Sequence, residues 1–243
     1  MIILSIGMPR AGSGWYYNLT NDLMLASGAQ DPRQIRQRYH LQKVLTEVNC
    51  NIGALTLRRL LVVLVPSLLG NTFVIKAHAG PTPIALALVR LGLIRPTYIY
   101  RDPRDALLSA MENGRRAAQQ GRTNAFTPMV DFDVALDFML ESVRVWEGWM
   151  GCDRALHSRY EDLLTDYDGQ AERLMAFLRL DRSKPGLQQV VDRYRPEQPQ
   201  PDQKGLHFSQ GKIGRFRQNM SLAQQQILTQ ALQPYLSRMG YVQ

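Results

Sequence analysis

A chain of 243 residues, 45% of them hydrophobic, fits one large or two small folded cores, which excludes fibrous and disordered classes. Its two cysteines, Cys50 and Cys152, are too few and too far apart for a disulfide framework or a zinc site, and point to a reducing, cytoplasmic setting. The formal charge of +8 rests on 29 basic residues, of which only five are lysines; such an arginine excess suits bidentate grip on phosphate or sulfate oxygens, and it also suits nucleic acid.

The first residues, Met1 to Gly7, lack the basic leader and small-residue cleavage site of a secretion signal. Within them Ile2–Ile6 reads as a buried strand. A helix follows in which Trp15, Leu19, Leu23 and Ala26 share one face. A second helical block is expected over Pro32–Leu69. It contains the longest apolar run, Leu60–Leu69, which is interrupted by Pro66 and is about half the length a bilayer span needs, so no membrane partner is expected. Next come a strand at Thr72–Lys76, a helix at Pro83–Leu91 and a strand at Thr97–Tyr100. Asp102 is a good N-cap for the following helix, with Pro103 at the favoured first position and Asp105 three residues after the cap. A helix at Phe132–Met150, a weaker strand at Ala155–Arg159, a helix at Gly169–Leu180 and a last helix from Ser221 complete the series. Strands that alternate with helices predict a parallel sheet of four to five strands covered on both faces, a three-layer α/β/α, P-loop-like single domain over residues 1–243. Tyr194–Gly205 carries three prolines among polar residues and is expected, to about residue 208, to be a mobile loop over the site.

In open parallel sheets ligands sit beyond the carboxyl ends of the strands, and each predicted strand ends in residues suited to an anion, a base or a ring. Gly7 to Gly12 has the G-x-x-x-x-G spacing of a phosphate cradle leading into a helix. The lysine that a nucleoside triphosphatase places after the second glycine is replaced by Ser13, with the basic residue moved into the loop as Arg10. An ordinary tight strand-to-helix turn has the same spacing. After the second strand, the period of two puts Lys76 and His78 on one side and Ala77 on the other. That pair suits an oxyanion clamp and a general base, or simply a solvated strand end. After the third strand, Arg101 and the helix capped by Asp102, with Ser109 about two turns in, form either a second anion site or a plain cap with Arg104 paired on the surface. Tyr160-Glu161-Asp162 follows the fourth strand.

With these residues in place, the chain resembles the sulfotransferases that use 3′-phosphoadenosine 5′-phosphosulfate (PAPS), from near its start to near its end. Their P-K-S-G-T-T-W loop is similar to Pro9-Arg10-Ala11-Gly12-Ser13-Gly14-Trp15, and their K-T-H segment to Lys76-Ala77-His78. The family's arginine and serine eight residues apart resemble Arg101 and Ser109. Its Y-E-D-L resembles Tyr160-Glu161-Asp162-Leu163, followed by a helix ending in Ala176-Phe177-Leu178. Its R-K-G-x-x-G-D-W-K is matched in part by Ser209-Gln210-Gly211-Lys212-Ile213-Gly214-Arg215-Phe216-Arg217.

The resemblance implies His78 as general base, with Lys76 and Arg10 stabilising charge on the sulfuryl and leaving phosphate oxygens. It implies Arg10 through Trp15 as the 5′-phosphosulfate cradle, Arg101 and Ser109 with Gly211 and Lys212 for the 3′-phosphate, and Trp15 and Tyr160 near adenine. PAPS is the implied donor, 3′,5′-adenosine diphosphate (PAP) the product, and no metal is required. Ser209 and Gln210 replace the family's basic pair, which leaves Lys212, Arg215 and Arg217 as candidates for its role. Glu112 is the alternative base. The acceptor is expected to be a small molecule or glycan with a hydroxyl or amine, bound by Gln30–Leu69, Met111–Asp133 and the proline-rich loop. Two other readings are a small-molecule kinase and a non-enzymatic module for nucleic acid or another polyanion. The scattered basic residues, without interleaved aromatics, argue against nucleic acid.

Overall fold

In the computed structural model, which describes residues 1–198 and 211–241, four strands form one parallel sheet. They are β1 (Ile2–Gly7), β2 (Phe73–Ala77), β3 (Ile94–Tyr100) and β4 (Leu156–Arg159), in spatial order β2-β1-β3-β4. The two-residue period of each strand buries both faces. Along β1, Ile2, Leu4 and Ile6 enter one core while Ile3 enters the other; Phe73 and Ile75 against Val74, and Tyr98 and Tyr100 against Ile99, repeat the division. The register sets Ser5 beside Lys76 on one side and Thr97 on the other.

Parallel neighbours need crossovers, and helices supply them. The face bearing Ile3 is covered by α1 (Ser13–Ala26), α8 (Tyr167–Leu178) and α9 (Pro185–Arg193). The opposite face carries α2 (Pro32–Arg38), α3 (Leu57–Leu68), α4 (Pro83–Arg90), α5 (Pro103–Gln119), α6 (Phe132–Met150) and α11 (Leu222–Leu236). The short helices α7 (Tyr160–Thr165) and α10 (Phe216–Asn219) sit at turns. Among the described residues no helix is long and apolar enough to cross a membrane.

The expected helical block Pro32–Leu69 is in fact two helices, α2 and α3, separated by residues 39–56. Backbone pairing overrides helix propensity there. Lys76 N donates to Cys50 O and Ile52 N donates to Lys76 O, so the segment lies along the open edge of β2. Positive φ angles at His40 (54°), Cys50 (46°) and Gly53 (74°) turn it to that position. The third strand begins earlier than predicted, at Ile94, and tolerates Pro96 because β4 pairs only from Thr97 onward. The helix expected at Gly169 starts at Tyr167, capped by Asp166, whose side chain accepts from Gly169 N. Helix α9 has no counterpart among the elements expected from sequence. The proline-rich loop is described only to Gln198; its remainder, with Ser209 and Gln210, lies outside the described residues.

Candidate active site

Strand order β2-β1-β3 reverses direction at β1, so the crevice between the carboxyl ends of β1 and β3 is the topological switch point. Two glycines shape the turn there. At Gly7 a Cβ would lie 2.5 Å from Ser13 Cβ and 2.9 Å from Ile99 Cγ2, so glycine alone lets α1 sit this close to the sheet. Gly12 caps α1 in the left-handed region (φ 74°), and a Cβ there would meet Tyr160 Cδ2 at 2.7 Å. No side chain caps α1 and its first turn holds no acid. The N–H groups of Ser13 and Gly14 make no hydrogen bond among the described residues. Free N–H groups at the positive end of a helix are a cradle for an anion.

One cavity gathers the strand ends. The turn lines it with Pro9, Arg10, Gly12, Ser13, Gly14 and Trp15; Lys76 and His78 come from the end of β2 and the residue after it, Arg101 and Tyr160 directly follow β3 and β4, and Ser109 stands about two turns into α5. Of the predicted site residues, Ala11 does not line it: its side chain is in the core and its N–H donates to Met8 O. Asn49 and Phe126 line the cavity and were not singled out from sequence. Both fall in the stretches expected to bind the acceptor, but only the edge pairing of residues 50–52 and the fold of the chain after α5 reveal which residue points inward.

His78 Nδ1 lies 2.6 Å from Gly7 O. A carbonyl oxygen only accepts, so Nδ1 carries the proton and Nε2 keeps its lone pair. Burial, and then the nearby Lys76 ammonium, hold the imidazole down at about 4 against the pull of the Gly7 carbonyl, so it is neutral at physiological pH. Lys76 is 5% exposed and has no carboxylate within ion-pair reach among the described residues. Burial, followed by Arg10, lowers its ammonium to about 8. A buried cation without a partner is a place for an incoming anion.

Arg10, itself in the left-handed region (φ 65°), donates from Nε and Nη2 to Ser109 Oγ and lies over the Phe126 ring, 5.2 Å from its centroid. Arg101 lies over Tyr160 at 4.6 Å, and Trp15 packs edge-on to Tyr160 and stacks on Tyr167. Arg101 Nη2 also donates to Asp105 Oδ2 and to Lys212 O. The Asp105 carboxylate in turn accepts from Gly214 N and Phe216 N. Asp105, read from sequence as a helix-start acid, therefore pins the C-terminal segment beside the cavity.

The alternative surface pairing of Arg104 is corrected: Arg104 is 2% exposed and folds back on the cap residue Asp102 with a bidentate hydrogen bond. Gly211 and Lys212 do not line the cavity, and the Lys212 side chain is exposed. Arg215 holds both Glu112 oxygens, at 3.0 and 2.6 Å, and Arg217 lies over Phe216. Thus neither Arg215 nor Glu112 is available without breaking an ion pair. Among the described residues no three His, Cys, Asp or Glu side chains gather as a metal-ligand set.

The family model described as "Sulfotransferase domain" matches residues 2–240. No curated protein matches the chain in sequence. Among solved structures, mouse sulfotransferase SULT7A1 complexed with PAP is similar at a TM-score of 0.61 and 13% identity, over 97% of this chain and 84% of that one. Retinol dehydratase in complex with androsterone and the inactive cofactor PAP is similar at a TM-score of 0.57 and 16% identity, over 97% and 80% of the two chains. Retinol dehydratase with retinol and PAP gives 0.55 and 16%, over 97% and 81%. At these identities the likeness is one of fold.

Proposed function

The chain belongs to the sulfotransferase-domain family, and from that premise we propose that it moves a sulfuryl group from PAPS to a hydroxyl or amine, with His78 as general base. The observation that carries this reading is the meeting of Lys76, His78, Arg101, Ser109 and the Arg10–Trp15 turn around one cavity. These residues fit a nucleotide carrying two phosphate-like groups: they supply unspent N–H groups, an ammonium with no ion pair among the described residues, an arginine and a serine, and tyrosine and tryptophan rings. The PAP named in the structures of similar fold agrees with that fit.

Bound there, PAPS supplies an activated sulfuryl group whose departure leaves PAP. His78 Nε2 takes the acceptor proton as the acceptor oxygen or nitrogen bonds to sulfur and the bond from sulfur to the 5′-phosphate oxygen breaks. Lys76 and Arg10 meet the negative charge that develops on the leaving oxygens. In-line transfer of this kind is mostly placement and charge stabilisation, and cations suffice to supply both. The Asp105 contacts fix Arg101 and the 211–216 segment, so the 3′-phosphate end is preorganised.

Thermal denaturation with PAP, Mg·ATP and a short RNA separates this reading from a kinase and from a polyanion-binding module. PAP alone should raise Tm, by an amount that grows with occupancy. Stabilisation by Mg·ATP or RNA without stabilisation by PAP overturns the proposal.

A further inference from the structure

Beside the nucleotide cavity runs a second cleft with its own charge. The outer turns of α5 line it with Asn113, Arg116 and Gln120, and the following chain with Arg122 and Asn124; Arg10 and Phe126 line both spaces. Among the described residues no carboxylate lines it. Gly114 allows it to form, since a Cβ at that position would collide with the carbonyl oxygen of Phe126, which lies against α5. Several other arginines find acids, Arg144 with Glu141, Arg182 with Glu172, Arg215 with Glu112 and Arg238 with Glu147, and others, such as Arg36, Arg59 and Arg95, donate to backbone carbonyls. Arg116 and Arg122 pair with nothing among the described residues. The Arg116 charge is felt at Arg10, which is held below its ordinary value first by burial and then by Arg101 and Arg116, against the pull of Glu112. Three guanidinium groups facing one cleft repel one another until an anion joins them.

We propose that the acceptor carries an anionic group, a carboxylate or a sulfate or phosphate ester, which Arg116 and Arg122 hold in this cleft while its hydroxyl or amine reaches past Phe126 toward His78. This rests on the sulfotransferase reading, which places the reacting centre in the neighbouring cavity. The amides of Asn113, Gln120 and Asn124 add donors and acceptors suited to a hydroxyl-rich framework, and the half-buried Phe126 offers one ring to stack on. Arg116 and Arg122 are thereby specificity-determining residues, set apart from the transfer chemistry.

The test uses the full chain saturated with PAP and titrates fluorescent 4-methylumbelliferyl sugars in matched pairs. N-acetylglucosaminide 6-sulfate is compared with its unsulfated parent, and glucuronide with glucoside; the two pairs distinguish an ester anion from a carboxylate. At least one charged sugar should bind about tenfold or more tightly than its neutral partner, the worth of one good charge-assisted contact. That preference should shrink as salt is raised. In the R116A/R122A double variant it should fall to near parity, while PAP, titrated in the same samples, still binds and so reports that the variant is folded. Equal binding within both pairs, no binding of either charged sugar, or a preference that survives the double substitution overturns the proposal. Loss of PAP binding by the unmodified protein would instead sink the donor reading on which it rests.

Discussion

His78 and Gly7 are joined by a short hydrogen bond, 2.6 Å from imidazole Nδ1 to the carbonyl oxygen that ends β1. The bond sets the tautomer that leaves Nε2 as the acceptor, and it ties the proposed base to the start of the Gly7–Gly12 turn. His78→Ala should therefore lower single-turnover sulfuryl transfer by about two to four orders of magnitude. PAP affinity, measured by calorimetry, should remain within about twofold of the unmodified protein, since the proposed role of the ring is toward the acceptor and not the nucleotide. Full transfer by the variant removes His78 from catalysis.

The two lowered pKa values bracket a working range. Above about pH 4 His78 is neutral and able to take a proton; below about pH 8 Lys76 is still charged. In the free enzyme kcat/KM for PAPS should thus be flat between these limits, falling about tenfold per pH unit beyond either. Lys76→Arg keeps its charge far above pH 8 and should remove the alkaline fall while leaving the acid one. A pH–rate profile of the two proteins checks both limbs.

Asp105 is buried at 1% exposure, and its carboxylate serves Arg101, Gly214 and Phe216 at once. Asp105→Ala strands a buried guanidinium and two backbone donors. The expected cost is about 3–5 kcal/mol of stability, read by denaturant unfolding. PAP affinity should fall with it, because Arg101 and the segment from Gly211 lose their common anchor.

At Gly12 both the φ of 74° and the 2.7 Å approach to Tyr160 oppose any side chain. Gly12→Ala should cost about 1–2 kcal/mol in backbone strain alone. Displacing the Tyr160 ring should weaken PAP binding by about tenfold or more. Gly28 is the control: it too has a positive φ (101°), but no described residue lies within 4 Å of where its Cβ would stand. Gly28→Ala should leave PAP binding unchanged.

Most of the sheet was legible because local rules and tertiary structure agree there. The strand cores of β1 to β4, the Asp102 cap with Pro103, and the Gly7–Gly12 turn all follow from short-range patterns, and each lies where it was expected within a few residues. Residues 39–56 were misread as helix because what decides their path is hydrogen bonding to the edge of β2, some 25 residues downstream in the chain, together with three positive φ angles. α9 escaped notice because its burial against α1 comes from only three apolar residues, Leu187, Val190 and Val191, in a polar stretch. At the site, residues at strand ends could be read in advance, whereas Asn49, Phe126 and the double duty of Asp105 depend on long-range packing. Ala11 belonged to the motif by position, but its N–H and side chain are both spent inside the turn.

On the proposed reading one bisphosphorylated adenine nucleotide spans the cavity with His78 at its sulfuryl end. A crystal structure of the PAP complex tests it directly. The 5′-phosphate should lie against the Ser13 and Gly14 N–H groups and Lys76, and the 3′-phosphate against Arg101 and Ser109, with His78 Nε2 open toward the space beyond the 5′-phosphate. PAP bound elsewhere, or bound with its 3′-phosphate away from Arg101 and Ser109, contradicts it.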